Sequence, residues 1–184
     1  MAGDERERTY GGLLGAFPYA FRTSESRLFR AYVVVGGLLA VVLLLFFTIS
    51  IVVVFSNTLG AVGGTFTFSR AFVAVVGLIV AAPVLAPVLL VARRHRRTNS
   101  TVAYDRALGA AGFVYAFTIY LALVVSAPPD MRSTPSGALA PLVEFLYSVP
   151  PLAGLVPPLL AVVLMYVLHR RFRAAATPAG RPES

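Results

Sequence analysis

Ala31 to Phe55, AYVVVGGLLAVVLLLFFTISIVVVF, runs without a single charged side chain. A bilayer core needs about 20 such residues as an α-helix, so the stretch can cross with turns to spare. Leu, Ile, Val and Phe each favour mid-bilayer by a few tenths of a kcal/mol, and together they give roughly −5 kcal/mol for insertion as one unit. A span of this kind sets the solvent for its neighbours. The rest of the chain reads as further spans and the loops between them.

Composition agrees. The chain is 58% hydrophobic with a mean hydropathy of +0.79, where a soluble domain has about 45–50% apolar residues. Its 184 residues suit one small helical membrane domain. The formal net charge of +8 comes from Arg alone, since no Lys occurs. These Arg cluster beside apolar runs, so they predict topology and contact with anionic lipid, and no nucleic acid as partner. The absence of Cys excludes disulfides, thiolate metal sites, palmitoylation and cysteine nucleophiles.

Residues 1–30 read as a cytoplasmic leader. Its piece GGLLGAFPYAFR is apolar but too short to span. Pro18 is expected to interrupt any helix there, leaving an interfacial amphipathic segment on the membrane surface. Thr23 or Ser24 then caps a new helix with Glu25 in its first turn. A cleavable signal peptide is the rival reading, but the apolar run exceeds the usual h-region of about 7–15 residues.

The expected spans are about 31–55, 71–92, 107–127 and 151–168, within a membrane domain covering 31–168. The Gly- and Thr-rich stretch 56–70 connects the first two, and Pro83 and Pro87 predict a kink in the second near Ile79–Pro83. In the third, Ala107 with Ala111 and Gly112 with Ala116 have the small-xxx-small spacing that brings helix backbones together. A surface helix is expected at about 139–147, and 169–184 reads as a basic, disordered tail. The fold class expected is therefore all-α: a polytopic integral membrane protein, a four-transmembrane-helix bundle with a short outer-surface helix.

With the N-terminus inside, only Arg70 and Arg132 of the 16 basic residues fall on the outer side. That satisfies the positive-inside rule and predicts a multi-pass protein of the cell membrane with both termini cytoplasmic.

Few residues could carry chemistry. Glu144 is the one acid within an apolar run, LVEFLY. Either it faces water from an interfacial helix, or it forms an ion or proton site near the outer surface. His95 and His169 sit among Arg without an acid or His three or four positions away, so neither is expected to bind metal. No nucleophile with a matched base, phosphate loop or dinucleotide fingerprint is present, and no catalytic, cofactor or metal residue is assigned. Asn99-Ser100-Thr101 matches a glycosylation sequon, but on the cytoplasmic side it would be silent. In-span hydroxyls such as Thr48, Ser50 and Thr118 are expected to bond back to their own helices or to glue helices together.

The runs GGLLGAFPYAFRTSESRLFRAY, GGTFTFSRAF and APVLLVARRHRR resemble those of small uncharacterised four-helix membrane proteins of haloarchaea. The resemblance implies a four-helix membrane fold and carries no site residues with it. The leading expectation is a non-enzymatic structural or interaction subunit of a membrane complex, with a membrane-protein partner or a homo-oligomer. The alternative is a small transporter or channel component using the Pro-kinked helices and Glu144.

Overall fold

The computed structural model describes residues 12–60, 63–98, 100–132 and 136–175, and these are helical with no strand among them. The helices are α1 (Gly12–Thr23), α2 (Arg27–Asn57), α3 (Gly64–Arg97), α4 (Val102–Val125), α5 (Ala140–Ser148) and α6 (Val156–Ala174). Short 3-10 turns at Pro129–Met131 and Pro151–Leu155 flank α5. Four segments are long and apolar enough to cross a membrane: Arg27–Asn57, Thr67–Arg97, Val102–Val125 and Pro151–Ala174. The all-α fold with four helices able to span a membrane, read from hydropathy, is therefore the observed one.

The helices run past the apolar cores that announce them. α2 has 31 residues and α3 has 34, about 46 and 51 Å at 1.5 Å per residue, against a hydrocarbon core of about 30 Å. α3 begins at Gly64 instead of near Ala71, so nearly half of the expected connector is its first two turns. Within that stretch Ser69 donates back to the Thr65 carbonyl of its own helix at 3.0 Å. The turn before it uses positive φ at Gly60 (80°), a conformation glycine adopts without penalty.

Two expectations about the leader need correction. α1 is continuous through Pro18. Pro18 lies on its exposed side, while Ala16 and Ala20, one turn apart, are fully buried. Tertiary packing of that opposite face against α2 and α3 outweighs the lost backbone bond. The cap of α2 is Ser26, whose Oγ accepts from the Phe29 N–H at 3.3 Å. Glu25 thus lies outside the helix, and Ser24 is free for another task.

Chain contacts divide the protein into two compact units, residues 1–110 and 111–184. In the first, the core sits at the Arg-rich end of the helices: Phe29, Tyr32, Val84, Val88, Val91, Tyr104 and Leu108 are buried there. Further along, no residue in the most apolar stretch of α2 is fully buried by protein. In water that would be ruinous, whereas lipid tails solvate Leu and Val as well as a core does. Within the same unit, α3 remains helical through Pro83 and Pro87, and the Tyr32 hydroxyl donates to the Val84 carbonyl between them at 2.6 Å. α4 comes close to the backbone of α2 at Gly109, which lies outside the small-residue pairs read from sequence. A Cβ there would lie 2.9 Å from Phe29 Cα.

In the second unit, the Pro151–Leu155 turn places Gly154 against the end of α4, where a Cβ would meet the Ala122 carbonyl at 3.3 Å. Arg132 binds the Ala127 and Tyr147 carbonyls, both at 3.0 Å, which ties the exit of α4 to the end of α5.

Candidate functional site

The polar centre of the first unit is Asp105, in the first turn of α4 and only 1% exposed. The Thr101 hydroxyl starts that helix by accepting from the Tyr104 N–H at 3.3 Å, and an acid in the first turn suits the helix dipole. Three side chains from three segments converge on its carboxylate. Ser24, from the α1–α2 link, donates to Oδ2 at 2.6 Å. His95 Nε2, from the last turn of α3, lies 2.9 Å from the same oxygen. Ser100, from the α3–α4 turn, donates to Oδ1 at 2.6 Å.

Ser24 is itself held on every side. Its N–H donates to the Ala20 carbonyl at 3.1 Å, its Oγ accepts from the Ser26 N–H at 3.3 Å, and Arg30 Nε donates to its carbonyl at 2.7 Å. Beside the cluster, the Arg94 guanidinium lies 4.2 Å from the Tyr104 ring centroid. A buried carboxylate is costly unless hydrogen bonds replace its water. Here three donors do so, in a neighbourhood of guanidinium groups.

Serine, histidine and aspartate in contact invite comparison with a hydrolytic triad, but the connectivity differs. In a triad the imidazole stands between hydroxyl and carboxylate and takes the hydroxyl proton. Here the carboxylate is in the middle, and both serines give their protons to it. This arrangement can fasten three segments and hold a charge in place. It does not set a serine against a base.

His95 has no acid three or four positions away, but the fold supplies one: its side chain is 10% exposed and paired with Asp105. The companion lies ten positions away, beyond the turn, where a search along one helix cannot see it. A signal was present, however. Asp105 is the only acidic residue between Glu25 and Asp130, set in a loop full of Arg.

Glu144 lies at an exposed position of α5, beside exposed Phe145, and belongs to the second unit. His169 falls in the last turns of α6 and is half-buried. Asn99 lies outside the described residues. Thr48, Ser50 and Thr118 bond to carbonyls of their own helices at 2.7–2.8 Å. No group of three or more potential metal ligands occurs among the described residues.

A family model described as a domain of unknown function, DUF8056, matches residues 1–173. The chain belongs to that family. Neither a curated protein nor a solved structure matches it. The match to DUF8056 takes in the Asp105 cluster and all four apolar helices, so both features lie within the family's domain.

Proposed function

We propose that this DUF8056 chain is a non-enzymatic structural or interaction subunit of a complex in the cell membrane, with both termini in the cytoplasm. The observation that carries the reading is a contrast within one unit. The Arg-rich ends of α1, α3 and α4 are fastened to one buried carboxylate, while no residue in the apolar stretch of α2 is fully buried. A part that is rigid at one end and uncommitted along its apolar face is suited to dock against other membrane helices. The connectivity around Asp105 supports the non-enzymatic assignment, since both hydroxyls are spent on the carboxylate.

Affinity purification of the tagged full chain from its native membrane in mild detergent tests this. The expected result is a stoichiometric membrane-protein partner or a defined homo-oligomer. A lone monomer that transports solute or protons in liposomes, and stops doing so as Glu144→Gln, would establish a carrier instead.

A further inference from the structure

An apolar groove of about 630 Å³ opens between α2 and α3 and is closed at its Arg-rich end by Phe17 of α1. It follows α2 from Gly37 to Ile51 and α3 from Leu85 back to Ala74. Glycines shape its walls. The Phe17 ring folds onto Gly37, where a Cβ would lie 3.3 Å from it, and Phe47 lies on Gly77, where a Cβ would lie 2.8 Å from the ring. The lining is apolar apart from Thr48, whose hydroxyl is already bonded to the Leu44 carbonyl.

The groove runs about 21 Å along α2 at 1.5 Å per residue, a length that suits an extended hydrocarbon tail. Its apolar walls offer such a tail carbon neighbours at about 4 Å.

The open end supplies a charge. Arg70 precedes Ala74 by one helical turn, so it continues the α3 stripe that lines the groove. Its guanidinium lies 4.7 Å from the Phe55 ring centroid, one turn beyond Ile51 on α2. Thr58 fixes it there by accepting from Nε at 2.9 Å and from Nη2 at 2.7 Å. Arg has five N–H donors, so the group is anchored with donors left to meet a phosphate. A pre-positioned cation at the mouth of an apolar groove is complementary to one end of an amphiphile.

We propose that this groove holds one acyl chain of an anionic phospholipid, its tail directed toward Phe17 and its phosphate on Arg70. The inference rests on the helices crossing a bilayer, and it does not need the subunit role.

Native mass spectrometry of the full chain, washed in detergent and titrated with phosphatidylglycerol or phosphatidylcholine, tests it. One phosphatidylglycerol per chain is expected to remain bound, with at least tenfold preference over phosphatidylcholine. Ala81→Phe, which fills the groove, should weaken binding at least tenfold, and Leu45→Phe on the uncovered face of α2 should not. Arg70→Gln should abolish the headgroup preference while Arg70→Lys keeps most of it, so the proposal remains testable should Ala81→Phe fail to fold. Binding that ignores both groove and Arg70 variants would overturn it, as would no retained lipid in the parent protein. So would a homodimer that Ala81→Phe dissociates, since the groove would then receive a second copy. Membrane fractionation of the cells that express each variant separates failure of this site from failure of the membrane assignment.

Discussion

Asp105 carries more of the polar order of the first unit than any other side chain. Replacing it with Ala strands two serine hydroxyls and an imidazole that now share one acceptor group. Removing one partner of a buried, charged network costs about 3–5 kcal/mol. Asp105→Ala is therefore expected to lower thermal stability in detergent by about 3 kcal/mol. Asp105→Asn keeps the shape and one acceptor oxygen, and should lose about half as much. A melting temperature unchanged in both variants would show that the cluster does not fasten the helices. Asp105 was not legible as a centre because its partners are brought to it by a turn and by a link 81 positions away. Sequence spacing reports neighbours on one helix, and none of these partners is one.

At the scale of the element, hydropathy was an accurate guide to which segments are helices and a poor one to where they end. Apolar content stops at the membrane boundary, whereas backbone hydrogen bonding continues until a cap intervenes. This is why α3 begins seven residues before the expected Ala71 and α4 five before the expected Ala107. Pro18 misled for a related reason. Proline propensity is local, and the burial of Ala16 and Ala20 that overrides it is tertiary.

The two Arg expected on the outer side turn out to be structural at helix ends. Arg70 binds the end of α2 through Thr58, and Arg132 binds the last carbonyls of α4 and α5. Arg132→Ala is expected to release α5 alone. Hydrogen exchange should show amides of Ala140–Ser148 exchanging about tenfold faster, the equivalent of about 1.4 kcal/mol of local stability, with α2 and α3 unaffected. Uniform exchange across the chain would contradict this local role.

For the whole molecule, four apolar helices were readable because insertion into lipid depends on length and composition, both one-dimensional properties. The threading proposed above follows from the Arg distribution, and the chain is well suited to testing it because it contains no Cys. Leu59→Cys and Ser136→Cys, at exposed positions in the α2–α3 and α4–α5 connections, should react with a membrane-impermeant maleimide added to intact cells. Ala175→Cys, just past α6, should react only after lysis. The opposite pattern would invert the topology.

The clasp between Ser24 and Asp105 also constrains the timetable of synthesis. Ser24 leaves the ribosome 81 residues ahead of the carboxylate it will hold, and chains grow at about 5–20 residues per second. For several seconds the first two hydrophobic rods must wait unlatched, with the knot that will secure them still unmade. The newborn protein becomes whole at one end only when the first turn of α4 arrives.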